Sequence, residues 1–279
     1  MLTAPALKAL LAAEHLRLKK RLGQHHLVDL SVLEQLLRHW ALTRQETVVE
    51  IGAGLGALTE SLAQQAGRVV ALEVDEACCR ALTRRLQGAS NVTVVCQDVL
   101  QFAWERVPGA IVIGAIPYHI TSPILVALAQ ARRTIRVAWL ILQQEVGERL
   151  LAAPSTKTYG RLSLLAQYHW EVTSVMTIPR RAFFPQPKVD SLCVRLMPWD
   201  TSPAAVTDEV QFFDIVKAAF AQRRKTLANC LHAAGWGTRA QIEGVLTSLG
   251  LPARVRGEAL SLSQFAALTN ALSDRAAPL

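Results

Sequence analysis

The chain has 279 residues, 51% of them hydrophobic and 19% charged, and a formal net charge of +8. That length suits one large domain and a small one. The basic balance favours a polyanionic partner, nucleic acid before a membrane, although a basic protein without such a partner fits the composition too. No apolar run approaches the roughly 20 residues needed to span a bilayer, which excludes a membrane-spanning helix. The five cysteines, Cys78, Cys79, Cys96, Cys193 and Cys230, include no Cys-x-x-Cys pair or His-Cys cluster, so no metal is expected. They read as buried thiols in a reducing cytosol.

In chain order, the N-terminal "MLTAPALKALLAAEHLRLKK" is mildly amphipathic. It lacks a charged start and carries Glu14, which is not the pattern of a signal peptide; a transit peptide is the weaker reading. Ser31-Val32-Leu33-Glu34 reads as a capping box opening a helix over 31–42, with Leu33, Leu36, Leu37 and Trp40 on one face. Strands and helices then alternate. "TVVEIGAGLGALTESLA" reads strand, Gly-rich loop, helix; "RVVALEVD" is a strand, 76–87 a helix, and "NVTVVCQD" a strand. "AIVIGAI" is a strand with a helix after Pro123, and "RVAWLILQ" a strand with a helix through "QEVGERLL". Short β-branched strands alternating with helices imply a parallel sheet covered on both faces. "PWDTSPAAVTD" reads as a linker near residue 200, and 208–273 as helical throughout. The expectation is a domain over 1–200 and a small all-helical domain over 201–279.

Three strand ends in a row offer polar or glycine positions. Gly52-Ala53-Gly54-Leu55-Gly56 follows the first strand, where glycines let the backbone turn sharply and approach a ligand. The G-x-G-x-G spacing argues against a standard dinucleotide fingerprint, although a lone Gly-rich loop is weakly specific. Glu73 ends the next strand, 19 residues after Gly54, where a carboxylate can accept hydrogen bonds from both ribose hydroxyls. Asp98 ends the third and could meet an adenine amino group. Each alone reads as a cap or surface charge. Together they fit an adenosine-bearing ligand, S-adenosylmethionine best, with no P-loop lysine.

With the Ile116-Pro117-Tyr118 turn of "IVIGAIPYHITSP" added, the sequence resembles the ribosomal RNA adenine dimethyltransferases, relatives of the erythromycin-resistance methyltransferases. The resemblance runs through "LKKRLGQHHLVD", "VVEIGAGLGALT", "ALEVD", "GAIPYHITSPIL", "LQQEVGERLLA", "TYGRLSLLAQ", "FFPQPKVDSLCVRL", "AAFAQRRKTLANCL" and "RGEALSLSQFAAL". It implies a Rossmann-like S-adenosylmethionine-dependent methyltransferase domain and a helical RNA-binding domain. It further implies transfer of methyl groups to the N6 amino group of adenines in small-subunit rRNA. His25 and Leu27 stand where the family contacts the methionine part of the cofactor, over Gly52 and Gly54. Glu73, with Val74 beside it, stands at the ribose, and Asp98 and Val99 at the adenine. Tyr118 would stack on the flipped base and Phe183 press on its edge or other face. Two positions depart from the family. His26 replaces a Phe, and Ala115 replaces the Asn that opens the catalytic tetrad, a position the resemblance also places against the cofactor.

The exocyclic amine of adenine is a poor nucleophile. A site helps by accepting its hydrogen bonds, stacking the base and aligning nitrogen, methyl and sulfur. Ala115 removes one acceptor, while the Ile116 carbonyl supplies another and Pro117 stiffens the turn; His119 is an alternative source of the missing contact. Methyl transfer is therefore expected to be reduced or lost, whether the alanine is an inactivating substitution or a natural divergence. Lys19-Lys20-Arg21, Lys188 and Arg223-Arg224-Lys225, the last trio read as helical, suit a grip on a phosphate backbone, although solvated faces are the default for such runs. The expected partner is small-subunit rRNA or an immature small ribosomal subunit, the protein cytoplasmic and monomeric. The alternatives are a non-catalytic ribosome-assembly factor on the same scaffold, then a small-molecule methyltransferase, and last a Rossmann dehydrogenase.

Overall fold

The computed structural model describes residues 2–19, 22–117 and 120–276, without the side chains of 274–276. Lys20, Arg21, Tyr118 and His119 lie outside the described residues. The elements in order are α1 Ala4–Ala13, β1 His26–Leu27, α2 Leu30–Trp40, β2 Thr47–Ile51, α3 Thr59–Gln65, β3 Arg68–Glu73, α4 Glu76–Arg85 and β4 Val92–Cys96. They continue with β5 Ala110–Ala115, α5 Thr121–Gln130, β6 Ile135–Gln143, α6 Gln144–Leu151, α7 Arg161–His169, β7 Trp170–Ile178, β8 Phe183–Phe184 and β9 Ser191–Pro198. The chain closes with α8 Glu209–Ala219, α9 Leu227–Ala233, α10 Arg239–Ser248 and α11 Leu262–Ala276.

Seven strands form one sheet in the order β4-β3-β2-β5-β6-β9-β7. The first five are parallel neighbours, and β9 runs antiparallel to β6. The sheet is thus mixed, where the alternation of elements implied a parallel one. The two strands of this sheet not read from the sequence are β7 and β9. Leu192, Cys193, Val194 and Leu196 in β9 are all buried, so no clean two-residue alternation marks the strand. The core of the sheet is built from β-branched residues of the inner strands, Val48, Val69, Ile111 and Ile113, which are at most 2% exposed. Each such side chain contributes roughly 1.5–3 kcal/mol on burial. Chain order reverses at β2, with β3 on one side and β5 on the other. Ligands of open α/β sheets bind at the carboxyl ends of the strands at such a reversal.

The cap of α2 differs from the capping-box reading. Asp29 is the N-cap, its carboxylate accepting from Ser31 N (3.0 Å) and Val32 N (3.2 Å). A carboxylate in that place also favours the positive end of the helix. Leu33, Leu36 and Trp40 are buried as the spacing predicts.

The chain divides into two compact units, but not at residue 200. One comprises the chain up to Gly147 with Glu171–Pro198; the other comprises Glu148–Trp170 and everything from Trp199 on. The reason is apolar. Leu164 and Tyr168 of α7 belong to the helical core with Phe212, Ile215, Leu231 and Phe265, Tyr168 stacking on Phe212 at 5.0 Å. Tyr159 is buried there and donates its hydroxyl to the Leu260 carbonyl (2.8 Å).

Candidate active site

The carboxyl ends of β2, β3, β4 and β5 surround a hollow that opens to solvent. Its walls include Gln24, Gly52, Glu73, Asp98, Ala115 and Pro117. Of the expected cofactor residues, His25, Gly52, Gly54, Glu73, Val74, Asp98, Val99 and Ala115 all line it. Among the described lining residues there is no Lys or Arg.

The glycine loop is shaped by its backbone. Gly52 has φ +75° and Gly54 φ +54°, a left-handed region costly for other residues. A Cβ on Gly52 would face the Ala115 carbonyl at 3.7 Å, and one on Gly54 would strike the His26 ring at 2.5 Å. The loop is therefore held between the end of β5 and the segment that follows α1.

Glu73 is the most organised group of the site. Its Oε2 accepts from Gly54 N (2.7 Å) and its Oε1 from Val74 N (2.9 Å) and Asp75 N (2.8 Å). These occupy three of the roughly four acceptor positions of a carboxylate, so Oε2 keeps one for a ligand hydroxyl rather than two. Burial pushes the Glu73 carboxyl up, against those three amides. Behind it Glu50 is 1% exposed. Burial pushes its carboxyl up to about 7, with Thr59 opposing and Glu73 adding. No hydrogen bond of ordinary length reaches Glu50 Oε2 or the Thr59 hydroxyl among the described residues. At the next strand end, Asp98 Oδ1 accepts from Leu100 N (3.0 Å).

The segment Leu22–His26, quoted in the sequence for its likeness, closes one side of the hollow. Asp75 tethers it: the carboxylate meets Lys19 Nζ at 2.8 Å and Gln24 Nε2 at 3.4 Å while capping α4 through Ala77 N. Burial works against that carboxylate, yet Lys19, the Ala77 amide and Gln24 hold it below its ordinary range. Lys19, expected as a phosphate contact, is thus paired within the protein. His25 Nδ1 lies 2.6 Å from the Pro185 carbonyl, which only accepts, so Nδ1 carries the hydrogen. His26 is buried and its Nε2 has no partner among the described residues; burial first and His25 second lower it to about 4.

Three expected site residues stand behind the hollow rather than in its wall. Leu27 is buried in the sheet core and pairs with Phe183, which is 5% exposed in the same cluster. Phe183 therefore presents no open ring face for a base. Ile116 is 2% exposed, its N–H donating to the Ile141 carbonyl (3.0 Å). Pro117 does line the hollow, its carbonyl accepting from Ile120 N (3.2 Å) and the Thr121 hydroxyl (3.3 Å). Gln97 and Ile120 line it too and were not singled out from the sequence. Gln97 could have been found as the neighbour of Asp98; Ile120 carries no polar signal.

The basic trio is not helical. Arg223, Arg224 and Lys225 sit in the turn between α8 and α9, because Thr226 caps α9 and starts it one residue later. All three are exposed, but Arg223 pairs with Glu258 (3.1 Å) and donates to the Lys157 carbonyl (2.7 Å). Lys188 is exposed.

The sequence profile of the family described as "Ribosomal RNA adenine dimethylase" matches residues 15–271. The chain belongs to the ribosomal RNA adenine dimethylase family. Among its relatives, the ribosomal RNA small subunit methyltransferase A of Bacillus mycoides (strain KBAB4) is 43% identical over 265 residues, 91% of each chain. A crystal structure of a dimethyladenosine transferase from Plasmodium falciparum superposes with a TM-score of 0.77 at 25% identity, over 90% of this chain and 98% of that one. The 23S rRNA methyltransferase ErmE superposes with a TM-score of 0.67 at 27% identity, over 89% and 99%. Among the described residues, no helix is long and apolar enough to cross a membrane and no three His, Cys, Asp or Glu gather as a metal site.

Proposed function

We propose that this member of the adenine dimethylase family binds S-adenosylmethionine in the hollow and methylates the N6 amino group of adenines in small-subunit rRNA, at a rate limited by Ala115. The observation that carries the cofactor reading is the chemistry of the wall. Glu73 and Asp98 stand at successive strand ends with no Lys or Arg among the described lining residues. Such a wall suits ribose hydroxyls, an adenine amine and a sulfonium cation, and repels the phosphates of a dinucleotide. When bound, S-adenosylmethionine supplies an activated methyl group on a positively charged sulfur.

The protein's own part is binding and alignment. Gly52 and Gly54 bring the backbone against the cofactor, and Glu73 Oε2 takes a ribose hydroxyl. Asp98, with Val99 beside it, faces the adenine. The target base leaves its stack to reach the turn after β5, where the Ile116 carbonyl accepts from its amine and Tyr118 stacks on it. The family's Asn would add a second acceptor where Ala115 has only a methyl group. Losing one such partner costs about 2.7–4 kcal/mol, or roughly 10²–10³ in rate. Arg224, Lys225 and Lys188 supply phosphate contacts, and the substrate is an immature small subunit met by a cytoplasmic monomer.

Labelled S-adenosylmethionine and small subunits lacking the modification test this directly. Label in N6-methylated adenosine of the rRNA is the expected result; label only in protein or free small molecules would overturn it. Ala115 also favours a second reading, an assembly factor that keeps the cofactor site without turnover. Tight, salt-sensitive subunit binding with no transfer, even from an Ala115→Asn variant, would select it.

A further inference from the structure

The rim of the hollow carries a feature that methyl transfer does not use. Cys79 in α4 and Cys96 at the end of β4 are joined by a disulfide, their Cα atoms 5.8 Å apart. This departs from the expectation of five buried thiols; Cys78, Cys193 and Cys230 are the free, buried ones. Burial pushes the Cys78 and Cys193 thiols up to about 12, which makes them inert.

Each half of the bond belongs to one arm of the hollow. Cys96 pairs with Glu73 in the β3–β4 ladder, and the residues after it, Gln97, Asp98 and Val99, line the wall. Gln97 N donates to the Glu73 carbonyl (2.9 Å), and Cys79 Sγ lies 3.4 Å from that same carbonyl. The other arm is Glu73 and Val74, leading into α4. β4 is the edge strand of the sheet, with β3 its one neighbour among the described residues. The bond therefore adds a covalent tether to the least supported strand of the site. It is also reachable: Cys79 is 5% exposed, but Cys96 is exposed, in a surface groove that Arg80 and Arg84 share.

We infer that Cys79 and Cys96 form a reversible thiol–disulfide modification site for low-molecular-weight disulfides such as glutathione disulfide, and that the oxidised pair holds Gln97–Val99 in the form that binds the cofactor. The inference rests on the cofactor reading of the hollow. In the forward step the Cys96 thiolate attacks one sulfur of the small disulfide, whose S–S bond breaks and releases one thiolate. Cys79 then gives its proton to solvent and attacks the Cys96 sulfur, expelling the second thiolate. One small disulfide is reduced to two thiols, and two protein cysteines are oxidised to one bond. Binding linkage makes the effect reciprocal: a bound cofactor must favour the disulfide by the same factor that the disulfide favours the cofactor.

The test uses the full chain poised in glutathione redox buffers, with S-adenosylhomocysteine as the probe ligand. Alkylation and mass measurement read the Cys79–Cys96 bond, and calorimetry reads affinity. Expected are a bond that forms and opens across the buffer series, binding about fivefold or more tighter in the oxidised protein, and an equal shift of the redox midpoint by saturating ligand. Cys96→Ser should match the reduced protein and ignore the buffer. A pair that stays as thiols, or equal affinities in the two forms, would overturn the inference and leave the cofactor reading intact. Absence of binding in both forms, with the bond formed, would overturn both.

Discussion

The two ends of the hollow are built differently. Where β3 and β4 stop, a buried carboxylate is caged by three amides and a second carboxylate caps its own turn. Where β5 stops, the described wall offers Ala115 and Pro117, and the Pro117 carbonyl is already engaged by Ile120 and Thr121. One end is prepared to hold a ligand before the ligand arrives; among its described residues, the other presents little side-chain polarity. On the proposed function, binding and chemistry are therefore separable, and substitutions at the two ends should fail in different ways.

The largest effect is expected from Ala115→Asn, which should raise the single-turnover rate by about 10²–10³ while S-adenosylhomocysteine affinity stays within a few-fold. At the other end, Glu73→Ala strands three amides and removes the hydroxyl acceptor. It should weaken ligand binding by about 10² or more in calorimetry, since truncating one partner of a buried, hydrogen-bonded charge typically costs 2–5 kcal/mol, as an approximate range. Retained affinity in that variant would erase the contrast. Gly54→Ala should lower both stability, by about 1–2 kcal/mol from its left-handed backbone, and binding, because the new Cβ displaces the His26 ring.

The pH dependence separates Glu50 from His26. Glu50 is raised from 4.5 to about 7 in the folded protein. Its contribution to stability is therefore complete below about 4.5 and is lost as pH rises through 7. His26 is lowered from 6.5 to about 4, so it costs stability as pH falls through that window. Relative to the parent, Glu50→Gln should gain thermal stability between pH 5 and pH 8, on the order of 2 kcal/mol. His26→Phe should instead gain below pH 6, and a flat difference for either variant would contradict its assignment. The smallest effects belong to the basic turn. Arg224→Ala or Lys225→Ala should each lower the salt slope of RNA binding by about one unit if it contacts a phosphate. Arg223→Ala should lower it less, because Glu258 and Lys157 already hold that guanidinium.

Much of this arrangement was legible in the chain. The Gly52 loop, Glu73 and Asp98 announce themselves because strand ends are marked by β-branched runs, and the residue after a run points to the rim. The family resemblance carried Ala115. What stayed hidden depends on tertiary placement. Nothing local says that Phe183 and Leu27 pair and turn inward, that α7 joins the helical core, or that Cys79 meets Cys96 across 17 residues. Lys19 read as a free cation because its partner, Asp75, lies on the far side of five elements in sequence but beside it in space.

On the proposed function, Ala115 limits the chemical step and not the binding of cofactor. The most direct measurement compares single-turnover methyl transfer to undermethylated small subunits by this chain and its Ala115→Asn variant, with ligand affinity measured on the same preparations. The expected rates differ by about 10² or more at nearly equal affinity. Rates within about tenfold of each other would contradict this, since that is less than one lost acceptor should cost.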